Sequence, residues 1–153
     1  MIKNETEYRL TKRRIEQSKE VTLRMREQLI AEGLTAEQIE RVMEPTLTFQ
    51  QGYVEEARWY ERVRAGDIMP IQSLGHIGEV LIGLRIAHAM TQKELAERLS
   101  VSEGVVSRDE RNDYHGISVE SAQRILDALE GHITLVVTPT TKGAGPVREL
   151  APV

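Results

Sequence analysis

The chain has 153 residues, 40% of them hydrophobic, which is enough for one or two small domains with a real core. It has no cysteine, no apolar run of membrane-spanning length, and an opening, MIKNETEYRLTKRR, without the apolar stretch of a secretory signal; disulfides, thiolate metal sites and bilayer spans are excluded, and a reducing cytoplasm is the compatible location. The net charge of -4 argues against a protein that holds nucleic acid by bulk electrostatics alone.

The first predicted element is a long helix. Tyr8, Ile15, Thr22 and Leu29 recur every seven residues, with Ser18 and Met25 in the alternate row, a narrow stripe at coiled-coil spacing. Gly33 is placed to end this helix. Thr35 and Gln38 form a capping box for a short second helix with Ile39, Val42 and Met43 on one face. Pro45 is expected to stop it, because the residue before a proline is pushed out of the α region. A third helix is predicted over about 46–64, with Phe49, Tyr53, Ala57 and Tyr60 as its stripe. Residues 3–26 carry eight basic and four acidic side chains, a balance of +4. That run is either a solvated helix face or a surface for DNA phosphates or an acidic partner. Neither stripe is wide enough to be buried on all sides, so the helices need each other and a second copy or a partner.

Gly66 and Pro70 punctuate a linker over 64–70. After it, Ile77, Val80, Leu81 and Leu84 mark a helix. Thr91 and Glu94 are a second capping box, opening a helix that carries Leu95, Ala96 and Leu99 inward. The run Ser100-Val101-Ser102 breaks it, and Ser102 is suited to cap the next helix, about 103–111, with Val105 and Val106 available for the core. A loop over 112–116 follows, then a helix capped by Ser118 with Ala122, Ile125, Leu126 and Leu129 on its core face. Residues 133–137, Ile-Thr-Leu-Val-Val, are β-prone and bounded by Gly131 and Pro139. The fold expected is mainly α: a helical hairpin module over 1–66, a helix-turn-helix bundle over 71–138 with one short C-terminal β-strand, and a flexible tail over 139–153.

Helix, tight turn and helix with small Ala96 at the crossing is helix-turn-helix geometry. The residues Thr91-Gln92-Lys93-Glu94-Leu95-Ala96, then Leu99, Val101-Ser102, Val106-Ser107-Arg108 and Glu110, resemble the phage-repressor (Xre/Cro-type) helix-turn-helix family. Two positions depart from that pattern: Ser100 stands where the family usually has glycine, and Asp109 where it usually has an apolar residue. The resemblance implies that Gln92 meets a phosphate and braces the recognition helix. It also implies that Ser102, Glu103, Gly104, Ser107 and Arg108 face the DNA groove, with Arg111 and Asn112 completing the DNA-facing set. Glu103 can accept only, which suits cytosine N4; Arg108 can fork onto guanine O6 and N7, or instead touch phosphate or pair with Glu103 or Glu110.

Over residues 74–137 six basic side chains face ten acidic ones, a balance of -4, so binding by this bundle is expected to need a dimer or basic residues elsewhere. The function expected is a sequence-specific, homodimeric transcriptional repressor bound to double-stranded DNA. Two alternatives stand beside it: the antitoxin of a toxin–antitoxin pair that also represses its own promoter, and an interaction module that no longer binds DNA. No enzyme activity, cofactor, metal or membrane partner is expected. Adjacent Asp109 and Glu110 diverge by about 100° on a helix, no glycine loop follows a strand, and none of His76, His88, His115 and His132 pairs at zinc-motif spacing.

Overall fold

The computed structural model describes residues 1–137; the tail expected over 139–153 lies outside the described residues. Six α-helices follow one another: α1 (Glu5–Ala31), α2 (Ala36–Arg64), α3 (Ile77–Ala87, entered through a 3-10 turn at Leu74–His76), α4 (Gln92–Leu99), α5 (Glu103–Arg111) and α6 (Val119–Ala128). No helix among them is long and apolar enough to cross a membrane.

The hairpin forms from two strongly started helices. Asn4 caps α1 by accepting from the Glu7 N–H, and Thr35 with Gln38 closes a reciprocal capping box on α2. Gly33 takes φ +80° in the connection, a conformation that costs glycine nothing. One expectation fails at Pro45, which lies inside a continuous α2. Losing one backbone bond there costs about 3 kcal/mol. Carrying the helix through seats Ile39 and Met43, 6% and 0% exposed, and burying two such side chains contributes about 3–6 kcal/mol. Pro45 itself faces solvent.

The same continuity explains a second correction. Phe49 is 74% exposed instead of facing α1. With the register set by Met43, Phe49 is turned about 240° from it, whereas Gln50 falls within about 20°. The inward row runs through Gln50, Tyr53, Ala57 and Tyr60, and the Tyr60 ring stacks on Tyr8 with centroids 4.9 Å apart. The expected strand over 133–137 is also absent, and no strand occurs among the described residues. A strand exists only through a ladder partner, and this run has none: Leu135, Val136 and Val137 are 64%, 79% and 88% exposed.

One hydrophobic cluster joins the hairpin to the bundle. Ala57, Tyr60 and Val63 of α2 pack with Leu81, Ile82 and Ile86 of α3, and onward to Leu95, Val106, Leu126 and Leu129. Helix α3 touches partners on two sides, so its buried face centres on Leu81, Ile82, Arg85 and Ile86, while Ile77, Val80 and Leu84 are only half-buried. After α5 the chain passes through two left-handed residues, Asp113 (φ 49°) and Tyr114 (φ 53°). Gly78 makes this possible: a Cβ there would lie 1.9 Å from the Asp113 carbonyl oxygen.

Candidate nucleic-acid interface

The bundle presents α5 from a rigid frame. Thr91 Oγ1 accepts from the Glu94 N–H at 3.1 Å, and Glu94 Oε2 accepts from the Thr91 N–H at 2.7 Å. The Thr91 N–H and the Thr91 hydroxyl, which also donates to Oε2 at 2.7 Å, stabilise the ionised carboxylate and hold it below the usual carboxylate range. Ser100 ends α4 in the left-handed region (φ 57°, ψ 40°), accepting the modest strain that glycine would avoid. Ser102 then caps α5 in extended conformation, but its hydroxyl makes no cap bond and is left toward solvent. Leu95, Ala96 and Val106 fill the crossing of the two helices at 0%, 2% and 2% exposure.

Beneath α5 lies a buried ion pair that the sequence reading missed. Arg85 on α3 and Glu110 on α5 are 3% and 0% exposed. The guanidinium meets the carboxylate through two nitrogens, with Nη2 donating to Oε2 at 2.7 Å. Arg85 Nη1 also donates to the Met90 carbonyl at 2.8 Å. Gln92 Nε2 donates to Glu110 Oε2 at 2.8 Å, so the first residue of α4 is tied to the last turn of α5. The network extends beyond the bundle: Arg85 Nη2 donates to the Lys3 carbonyl at 2.7 Å, the Lys3 ammonium donates to the Glu110 carbonyl, and it pairs with Asp113 at 2.8 Å. A bidentate guanidinium with all three nitrogens and four of its five N–H donors engaged is how a buried charge offsets its desolvation cost. The signal was present in sequence. Glu110 lies four residues after Val106, and Arg85 among Leu81, Ile82 and Ile86, so both charges occupy core positions of their helices.

The residues singled out for DNA divide by position. Ser102, Glu103, Gly104, Arg108, Arg111 and Asn112 are exposed, Ser107 is half-buried, and Gln92 is half-buried against Glu110. Gly104, Arg108 and Arg111 recur at i, i+4, i+7, opposite the buried Val106 and Glu110. Exposed Arg108 pairs with half-buried Asp109 at 3.4 Å, and not with Glu103 or Glu110; such a contact near the surface is worth little. Asn112 ends α5 and reaches the His115 carbonyl at 3.5 Å. Gly104 answers to no packing need, since a Cβ there would meet only Ser102 Oγ at 3.9 Å. Among the described residues no group of three or more His, Asp or Glu converges as a metal site.

The family model described as Helix-turn-helix matches residues 82–136, which run from the middle of α3 to beyond α6. No curated protein and no solved structure matches the chain. With this match and the α4–turn–α5 geometry together, residues 82–136 are a helix-turn-helix domain of the phage-repressor-like (Xre/Cro-type) family of DNA-binding transcriptional regulators.

Proposed function

We propose that the protein is a sequence-specific, cytoplasmic repressor that binds duplex DNA as a homodimer, with α5 entering the major groove and the hairpin over 1–66 serving as the dimerisation or partner-binding module. The observation that carries this reading is the solvent-facing row Gly104, Arg108 and Arg111, mounted on the Arg85–Glu110–Gln92 network. In this reading Gln92 meets a phosphate while it braces α5. Ser102, Glu103 and Ser107 read base edges, with Glu103 accepting from cytosine N4 and Arg108 forking onto guanine. Gly104 lets the helix approach closely, and Arg111 and Asn112 lie at the groove edge.

Genome-wide mapping of bound DNA tests the whole reading. A dimer should return sites with two-fold symmetry and half-site centres about 34–36 Å apart, one DNA turn; an asymmetric single motif would remove the dimer. Arg108→Ala should lower affinity for a recovered site by about 1–3 kcal/mol and affinity for random DNA much less. Equal losses on both would make Arg108 a phosphate contact.

A second reading, an antitoxin that also represses its own promoter, draws support from the outer hairpin. Leu23, Ile30 and Phe49 are exposed there at 62%, 59% and 74%, a helical surface suited to a protein partner. A stoichiometric small protein recovered with this chain from its native cell would favour it.

A further inference from the structure

The first turn of α1 is part of the same surface as the N-termini of α4 and α5. Asn4, Thr6 and Glu7 line one side of a groove of about 630 Å³ whose other side is Thr91, Gln92 and Glu103. The position of that turn is fixed. Ile2 is 2% exposed, and Lys3, with 13% of its side chain exposed, is bonded to Arg85, Glu110 and Asp113. When a helix-turn-helix docks, the first helix of the pair crosses the sugar–phosphate backbone while the start of the second meets base edges. A backbone crossing α4 in this way runs beside the first turn of α1.

The acids of that turn are engaged within the protein. Glu5 accepts from Arg64 at 2.8 Å, and Glu7 from the Lys3 N–H at 2.8 Å and Asn4 Nδ2 at 2.9 Å. The cations that follow are available. Arg13 is exposed without an ion pair among the described residues, and Arg9, its side chain 68% exposed, has only a 3.8 Å approach to Glu5. On a helix Arg13 lies about 20° and Arg9 about 60° from Thr6, so the three form one strip about 10 Å long.

We propose that Thr6, Arg9 and Arg13 bind the phosphate backbone of duplex DNA, continuing the contact made by the N-terminus of α4. The strip supplies positive charge to a bundle whose own balance over 74–137 is -4. This inference rests on the DNA-binding reading above.

The test measures binding of a random-sequence duplex by the full chain between about 50 and 200 mM salt. Wild type is compared with Arg9→Gln/Arg13→Gln and with Arg26→Gln/Arg41→Gln, which removes the same charge near the far end of the hairpin. All four positions are exposed, so folding is not at issue. Each lost phosphate contact lowers the slope of log K against log salt by about 0.9; the first variant should be shallower by about 1.8, an affinity loss about 12-fold smaller across that range. The control should keep the wild-type slope. A wild-type slope in the first variant, or equal changes in both, overturns the strip while leaving the DNA-binding reading intact. Wild type that binds neither random duplex nor any genomic site sinks that reading, and the strip with it.

Discussion

The helix-turn-helix bundle and the hairpin are both helical, yet they are held by different means. Helix α3 buries Gly78, Leu81, Ile82, Gly83, Arg85 and Ile86 out of 11 residues; α1 buries Thr11 and Ile15 out of 27. In the bundle, short helices that would be marginal alone are fixed by packing on several sides. In the hairpin, length, caps and exposed i,i+4 pairs such as Arg24–Glu20 and Arg41–Glu37 sustain the helices, and each needs only one neighbour. Beyond Ile15 the inward row of α1 is Ser18, Thr22, Met25 and Leu29, all only half-buried. Resistance to unfolding should therefore be concentrated in the bundle and at its junction with the hairpin, and fall toward the hairpin's far end.

The largest test of this contrast is Glu110→Ala. It leaves the Arg85 guanidinium buried without its carboxylate and should cost about 3–5 kcal/mol in urea unfolding. A loss below about 1 kcal/mol would mean that the ion pair is no part of the bundle's strength. Next come two side chains that are both 0% exposed, Leu95 in the bundle and Met43 in the hairpin. Leu95→Ala should cost about 2–5 kcal/mol and speed amide exchange throughout. Met43→Ala should speed exchange in the outer hairpin and leave α3 to α6 protected. If it loosens both regions equally, the molecule is one cooperative unit and the contrast disappears. Pro45→Ala restores a backbone donor and should stabilise the hairpin by about 1–3 kcal/mol, read as slower exchange near residue 45.

The smallest effect is one of pH. The Tyr8 hydroxyl donates to Glu61, and that bond to a carboxylate, with burial, pushes its pKa from 10.0 to about 12. The raised value means that the folded state favours the protonated phenol. The contribution is thus complete below pH 10 and lost as pH rises toward 12. Tyr8→Phe should flatten the stability profile across that window. An unchanged alkaline profile would detach the hairpin's base from this bond.

What was legible in the sequence was what is local. The boxes Thr35/Gln38 and Thr91/Glu94, the Ser118 cap and the left-handed Gly33 involve residues a few positions apart, and each forms as read. Ser100, which stands where the resembled family usually has glycine, takes the left-handed conformation that glycine would favour. Features decided by distant packing were not legible. Pro45 reads as a stop until the burial of Ile39 and Met43 is weighed against it, and the exposure of Phe49 follows only from that continuity. Residues 133–137 have strand composition, but a partner is not a property of one segment. Arg85 and Glu110 stand at core positions by their spacing, but that each is balanced by a residue 25 positions away is not a property of either segment. For the interface, the candidate residues of α5 came from the resemblance to the repressor family, whereas the Lys3 contribution has no local signature.

Lys3 and the Glu110 carbonyl it bonds are separated by 107 positions. A ribosome that adds about 5–20 residues per second leaves Lys3 waiting roughly 5–20 s after its own synthesis before Glu110 exists. During that interval the Lys3 ammonium lacks both its partners, the Glu110 carbonyl and Asp113, although α1 and α2 can already pair. The frame under α5 is thus completed by an earlier-made segment closing over a later one, and a chain that stops before α5 lacks both Glu110 and Asp113, the partners of the Lys3 ammonium.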